Sequence, residues 1–317
     1  MIKLSCVIPC YNEEDNILPF FNSLSQTLEA AGLSYELLFV DDGSRDGSLE
    51  RLRALAAEKP AVRVIRFSRN FGKEAAMYAG LRAAKGDYVS IVDADLQQPP
   101  EVLLQMVNML EADPELDCVA AFQKNRRESG PMRFFKGAFY GLINRVAEIE
   151  FVSGASDFRT LRRNMVDALN SVTEYYRFSK GLFSWVGFRT EYIPYEARER
   201  ASGKTKFSFW KLLQLAFEGI IAFTTMPLKL ATVAGLLTAA VSVIYLVVVV
   251  LQKLIQGIDV PGYATIVVLI LLLGGMQLFF LGVIGEYLAR MYIQTKNRPV
   301  YIIKETFGGE AEEENKD

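Results

Sequence analysis

From Leu4 to Gln123 the sequence predicts an α/β fold, a mainly parallel sheet wound on both faces by helices, and two observations carry that expectation. Short apolar, β-rich runs recur, each followed by a stretch with helical spacing. Polar clusters stand at the carboxyl ends of those runs, where open parallel sheets bind their ligands. A third observation predicts an appended membrane part: uncharged apolar residues pile up after Pro227.

The elements follow in order. The first strand, Leu4–Pro9, stops at a proline, and a helix is expected over Glu14–Ala31. Glu36–Asp41 ends on two carboxylates, and Gly43 and Ser44 suit a turn that caps a helix over Asp46–Glu58. Val62–Phe67 leads to a helix over Lys73–Ala84. Tyr88–Asp93 leads to one over Pro100–Ala112, which opens at a proline because the first helical N–H needs no partner. Cys118–Phe122 completes the set. Side by side, such strands gather Tyr11-Asn12-Glu13, Asp41-Asp42-Gly43-Ser44 and Asp93-Ala94-Asp95 around one crevice.

Lys124–Arg200 is less regular and rich in arginine, and is read as the acceptor half of the catalytic domain. Phe207–Met226 carries aromatic and aliphatic residues among Lys211 and Glu218, a pattern for amphipathic helices in a membrane interface or for a core helix. The uncharged runs Leu230–Leu251 and Tyr263–Gly285 are each about 22 residues, or about 33 Å as helix, enough to cross a hydrocarbon core of about 30 Å. Lys204, Lys206, Lys211 and Lys229 precede the pair and Arg290, Lys296 and Arg298 follow it, against Lys253 in the turn, which predicts a hairpin with both ends in the cytoplasm. Gly274, Gly275, Gly282 and Gly285 would let helices approach closely, leaving a homo-oligomer as an option. The domain plan is 1–206 catalytic, 207–229 interfacial helices, 230–285 transmembrane hairpin and 286–317 cytoplasmic tail, with the acidic stretch Glu310–Asp317 solvated.

Composition narrows the chemistry. A net charge of −2 gives no global basic field, so nucleic acid is not an expected partner. There is no histidine, which removes the commonest general base and transition-metal ligand and leaves carboxylates, cations, backbone groups or a hard metal ion. Cys6, Cys10 and Cys118 are an odd set without CxxC spacing, read as buried thiols in a reducing compartment. The short apolar run up to Pro9 is not a signal peptide, so the soluble part is expected in the cytoplasm.

Asp93-Ala94-Asp95 at a strand end can bring one carboxylate to a metal while the other orients water or sugar. A diphosphate leaving group gathers charge as its bond breaks, and oxygen-ligated Mg²⁺ or Mn²⁺ neutralises that charge. Asp41 and Asp42 are adjacent carboxylates at a strand end, where each must be solvated or paired; a ribose or base contact would satisfy one, and a capped turn is the plain alternative.

These motifs together resemble glycosyltransferase family 2 of the GT-A fold. The carriers are Val7-Ile8-Pro9-Cys10-Tyr11-Asn12-Glu13-Glu14, the DDGS at Asp41 to Ser44, Asn70-Phe71-Gly72-Lys73, and DADLQQPPE at Asp93 to Glu101. Within that family, Ser156-Asp157-Phe158-Arg159, Arg200-Ala201-Ser202-Gly203 with Lys206, and the apolar hairpin resemble bacterial polyprenyl-phosphate (bactoprenol) glycosyltransferases, relatives of dolichyl-phosphate mannose synthase. The resemblance runs through Tyr301. Gln98 stands where the family often has aspartate, so no metal role is expected there, and the downstream Gln-x-x-Arg-Trp motif of processive synthases is missing.

The resemblance implies that Pro9, Tyr11, Glu13, Asp42 and Ser44 hold the nucleotide, that Asp93 and Asp95 hold metal and diphosphate, and that Asp157 is the catalytic carboxylate. A phosphate monoester is already largely ionised at neutral pH and hardly needs a base. Asp157 could therefore position the acceptor phosphate, complete the metal site, or form an ion pair with Arg159 or Arg163. Arg200 with Gly203 and Lys206 lies on a basic loop suited to close over phosphates, and Lys73, at a helix start, is a diphosphate candidate. Arg126, Arg127 and Lys136 are candidates for the lipid phosphate, or a solvated basic face. Trp185 and Trp210 read as packing or interface anchors.

The expectation is a GT-A domain on a membrane hairpin that uses Mg²⁺ or Mn²⁺ and moves one hexose with inversion, glucose from UDP-glucose, onto a polyprenyl phosphate such as undecaprenyl phosphate at the inner membrane. GDP-mannose or an amino-sugar nucleotide is the alternative donor. A non-catalytic lipid-binding scaffold is the rival of another class, and a flippase is disfavoured because the spans hold no charge.

Overall fold

The structure, a computed structural model, describes residues 2–124, 141, 155–198, 221, 224–256 and 262–309. They fall into two compact units, Met1–Ala216 together with Arg298–Asp317, and Phe217–Asn297.

The first unit is built on an eight-stranded sheet: β1 (Leu4–Cys10), β2 (Tyr35–Asp41), β3 (Val62–Phe67), β4 (Tyr88–Ile91), β5 (Cys118–Gln123), β6 (Ala155–Arg162), β7 (Thr190–Tyr195) and β8 (Ile303–Gly308), in the order β7-β5-β6-β4-β1-β2-β3-β8. β1 lies between β2 and β4 with both pairings parallel, Val7 facing Leu38 on one side and Ile91 on the other. A strand covered on both faces must be apolar throughout, and Leu4, Cys6, Val7 and Ile8 are fully buried. The helices α1 (Ile17–Ala30), α2 (Ser48–Glu58), α3 (Lys73–Ala83) and α4 (Pro100–Ala112) connect these strands. α1 packs Ile17, Phe20, Phe21, Leu24 and Leu28 inward at helical spacing. α3 approaches β1 so closely that a Cβ on Gly80 would stand 2.1 Å from Val7 Cγ1, a contact only glycine permits. Phe39, Phe67 and Phe158 are among the largest fully buried side chains, each contributing about 1.5–3 kcal/mol by leaving water.

The expected strands and helices are present, with ends shifted by up to three residues. Several features differ from the sequence reading. β6, within the stretch read as irregular, enters the sheet antiparallel between β4 and β5. Its buried polar residues explain why it escapes an apolar pattern: Arg159 is 3% exposed and Thr160 fully buried, the latter hydrogen-bonded to Ser90 at 2.8 Å. The second is β8. The tail assigned to 286–317 is not one segment, because Ile303–Gly308 pairs antiparallel with β3 and completes the sheet edge. Glu305 anchors it, accepting both Arg53 contacts at 2.8 Å and Arg66 Nη1 at 2.8 Å. Two further helices of this unit, α5 (Arg163–Ser171) and α6 (Ser179–Trp185), follow β6.

The second unit holds α7 (Met226–Gln256) and α8 (Tyr263–Thr295), which pack against one another. Both contain a stretch long and apolar enough to cross a membrane, within Met226–Gln252 and Val268–Thr295. Leu236, Leu254, Leu278 and Phe279 expose two thirds or more of their surface, an apolar face that suits lipid rather than water. The helices overrun the apolar runs of the sequence: residues 226–229, assigned to the interfacial segment, are the first turn of α7, and α8 continues ten residues past Gly285. The rest of the expected interfacial helices lies outside the described residues, apart from Ile221, Thr224 and Thr225.

Candidate active site

β1, β2 and β4 are parallel neighbours, so the residues after them open on one edge. They frame a cavity of about 330 Å³, the size of an ordinary ligand pocket. β1 supplies Pro9 and the turn after it Tyr11 and Glu13, Asp42 follows β2, the loop after β3 supplies Asn70 and Gly72, α3 supplies Lys73, and Asp93 and Asp95 follow β4.

The loops of this edge are stapled together. Asn12, in the left-handed region at φ 56°, donates its N–H to Ser44 Oγ at 3.0 Å and accepts the Arg45 N–H at 2.9 Å on its side chain. Ser48 Oγ takes the Glu13 N–H at 2.8 Å. Ser44 therefore fastens the turn after β1 and is not among the residues lining the cavity, although the sequence placed it with the nucleotide contacts. Asp42, 3% exposed, lines the cavity but already accepts the N–H groups of Phe71 at 2.6 Å and Gly72 at 2.9 Å. Burial raises its carboxyl pKa and those two amides offset part of the rise. Its first task is to hold the Asn70–Gly72 loop over the site. Gly43, at φ 69°, allows this: a Cβ there would stand 2.6 Å from the Arg69 carbonyl carbon.

Asp93 is oriented by Gln98, which is 6% exposed: its Oε1 accepts the Asp93 N–H at 2.9 Å and its Nε2 donates to Asp93 Oδ2 at 3.1 Å. The lack of an acid at Gln98 is thus put to use in orientation. Asp95 Oδ1 accepts the Gln97 N–H at 3.1 Å across Leu96, whose φ of 63° is unusual for a branched residue.

The charged centre comes from topology. Ile91 of β4 faces Arg159 of antiparallel β6, so extending that register by two residues sets Asp93 opposite Asp157. Lys73 closes the gap, with Nζ 2.6 Å from Asp93 Oδ1 and 3.0 Å from Asp157 Oδ2. Burial alone would lower the Lys73 pKa, but the two carboxylates outweigh it and raise it. Burial would raise Asp157, but Lys73 first and then Lys180 and Arg159 hold its carboxyl below the ordinary range. Asp157 Oδ1 is buried without a hydrogen-bond partner among the described residues. The ion pair of Asp157 is therefore with Lys73, not with Arg159 or Arg163: Arg159 donates to the Ser156 carbonyl at 2.8 Å, and Arg163 approaches Asp167 at 3.9 Å.

Among the described residues no three acidic or thiol groups form a metal cage. Two carboxylates beside a cavity instead fit an ion that completes its shell with water and the oxygens of a diphosphate ligand, the habit of Mg²⁺. The three cysteines are free and buried, and burial pushes their thiols up, so none is a poised nucleophile. Trp185 is 54% exposed and outside the cavity lining. Arg126, Arg127, Lys136, Arg200, Lys206 and Trp210 lie outside the described residues.

Several supporting residues went unsingled in the sequence. Asn70 and Gly72 were visible only as part of a motif, whereas Glu74, Ser179 and Lys180 carried no local signal because their meeting is tertiary.

A mainly parallel sheet whose strand ends set carboxylates and a lysine around a ligand-sized cavity defines, with the comparisons that follow, a glycosyltransferase. Residues 5–169 match the family described as Glycosyl transferase family 2, and residues 226–291 match the GtrB C-terminal hairpin. The chain belongs to glycosyltransferase family 2. It is 40% identical over 308 residues to an uncharacterized glycosyltransferase of Synechocystis, spanning 97% of this chain and 96% of the other. It is 39% identical over 309 residues to a prophage-derived bactoprenol glucosyl transferase of Shigella flexneri, spanning 97% and 99%. A prophage bactoprenol glucosyl transferase homolog of Escherichia coli is 40% identical over 304 residues, spanning 96% and 99%. Among solved structures, glucosyl-3-phosphoglycerate synthase from Mycobacterium tuberculosis aligns at a TM-score of 0.49 and 20% identity over 69% of this chain and 76% of that one.

Proposed function

We propose that this enzyme transfers one glucose from UDP-glucose to a polyprenyl phosphate of the undecaprenyl type, in a single inverting displacement at the cytoplasmic face of the bacterial inner membrane. The observation that carries the reading is the Asp93–Lys73–Asp157 cluster beside the cavity, in a chain that a bactoprenol glucosyl transferase matches over 97% of its length.

Pro9, Tyr11, Glu13 and Asp42 take the nucleotide, Tyr11 offering a ring that is 42% exposed. Ser44 supports that subsite through Asn12. Lys73 moves from its carboxylates to the donor diphosphate. Asp93 and Asp95 would hold Mg²⁺ or Mn²⁺, whose chemistry is to neutralise charge building on the leaving diphosphate. Asp157 orients the acceptor phosphate, already an anion and a competent nucleophile near neutral pH. Arg200 and Lys206 close over the phosphates, and Arg126, Arg127 and Lys136 draw in the lipid headgroup. The paired apolar helices hold the enzyme where its lipid substrate resides, with lysine and arginine on the flanks keeping both ends in the cytoplasm.

The test is transfer by purified protein in detergent from a panel of labelled UDP- and GDP-sugars to undecaprenyl phosphate, with and without chelator. UDP-glucose should give a lipid product that chelation abolishes and Mn²⁺ or Mg²⁺ restores. Transfer from GDP-mannose or an amino-sugar nucleotide alone would correct the donor. No transfer by folded, lipid-binding protein would favour a scaffold.

A further inference from the structure

We propose that Lys180 binds the phosphate of the lipid acceptor, held beside Asp157 by a latch between Glu74 and Ser179; this rests on the reading of the chain as a polyprenyl-phosphate glycosyltransferase.

A phosphate monoester brings a charge of about −1.5 to −2 to an edge that already carries Asp93, Asp95 and Asp157. Lys73 rests on two of those carboxylates and, in the proposed reaction, is taken up by the donor diphosphate. The acceptor needs another cation, and two stand near Asp157 among the described residues: Arg159, two positions along β6, and Lys180, whose neighbour Ser179 is bonded to Glu74 next to Lys73, itself 3.0 Å from Asp157. Arg159 cannot reach a ligand: it is 3% exposed, stacked 3.7 Å over the Phe183 ring and bonded to the Ser156 carbonyl. Lys180 is half-buried and makes no hydrogen bond or ion pair among the described residues.

The backbone around Lys180 is fixed from two sides. Glu74 accepts the Ser179 N–H at 3.0 Å and the Ser179 hydroxyl on the same oxygen. This ties the residue after Lys73 to the residue before Lys180, across 105 positions of sequence. The Arg159–Phe183 stack then pins α6 to β6, the strand that carries Asp157. The Glu74 carboxyl is raised by burial despite those Ser179 bonds, a strained choice for a residue that merely fills space. A latch that sets two lysines about one carboxylate gives it a purpose: Lys73 serves the donor side and Lys180 the acceptor side.

The experiment measures initial rates with the full chain in detergent, varying undecaprenyl phosphate and UDP-glucose separately, for wild type, Lys180→Met, Lys180→Arg, Glu74→Ala and Glu74→Gln. Lys180→Met should raise the acceptor KM about tenfold or more, the effect of losing a charged hydrogen bond, while the UDP-glucose KM and UDP binding stay within about twofold. Lys180→Arg should recover most of the loss, and raising salt should weaken the acceptor KM of wild type more than that of Lys180→Met. Glu74→Ala should act like Lys180→Met, and Glu74→Gln, which keeps an acceptor oxygen for Ser179, like wild type. An unchanged acceptor KM in Lys180→Met overturns the proposal, as does an equal rise in the donor KM or a loss of UDP binding. If wild type itself glycosylates no polyprenyl phosphate, the functional reading fails and takes this one with it.

Discussion

Replacing Lys73 by methionine removes the ammonium that lies within 3.0 Å of both Asp93 and Asp157 and keeps much of its volume. A charge-assisted hydrogen bond contributes about 1.5–3 kcal/mol net. The Lys73 side chain is 43% exposed, so solvent screening puts the loss at the low end of that range, a factor of about ten in kcat/KM. The pH profile sharpens the test. With Lys73 present the Asp157 carboxyl is held low, so its charged form persists above the usual carboxylate range of about 3.9 and is lost only as pH falls through the lowered folded value. Without Lys73 the largest influence left on Asp157 is burial, which raises it. The acid limb of activity should therefore move to higher pH, and stability should fall away earlier on acidification. Initial rates of sugar transfer across pH, with thermal unfolding in parallel, measure both. A Lys73→Met enzyme with kcat/KM within twofold of wild type and an unmoved acid limb would refute the bridging role.

Three further outcomes follow from the geometry. Gln98→Ala strips two hydrogen bonds from Asp93; if Asp93 holds the metal as proposed, the Mn²⁺ concentration needed for half-maximal rate should rise about tenfold or more, the cost of losing a group that orients a metal ligand. Gly43→Ala forces a Cβ to 2.6 Å from the backbone at φ 69°; it should cost about 1–3 kcal/mol, seen as a lowered unfolding temperature. Glu305→Ala removes the acceptor of Arg53 and Arg66; hydrogen exchange over Ile303–Gly308 should accelerate while the central strands stay protected.

The central strands were legible because burial on both faces leaves an apolar run in the sequence, as in Leu4–Cys10 and Tyr35–Asp41. The ring of polar clusters was legible for the same topological reason. β6 was not: it buries Arg159 and Thr160 by stacking one on Phe183 and bonding the other to Ser90, and such satisfaction is invisible to a hydropathy pattern. β8 was hidden because its pairing with β3 joins residues 239 positions apart, Arg66 and Glu305. Asp157 was picked out by resemblance, yet its partner Lys73 lies 84 positions away. Only the antiparallel insertion of β6 beside β4 brings the two together.

Asp157 is proposed to act at the acceptor phosphate. The most direct measurement is the yield of labelled lipid-linked monosaccharide from UDP-glucose and undecaprenyl phosphate by wild type and by Asp157→Ala, with UDP binding measured on the same preparations. Wild type should give a mild-acid-labile product and Asp157→Ala none above background, while both bind UDP equally. Undiminished product from Asp157→Ala would contradict that role.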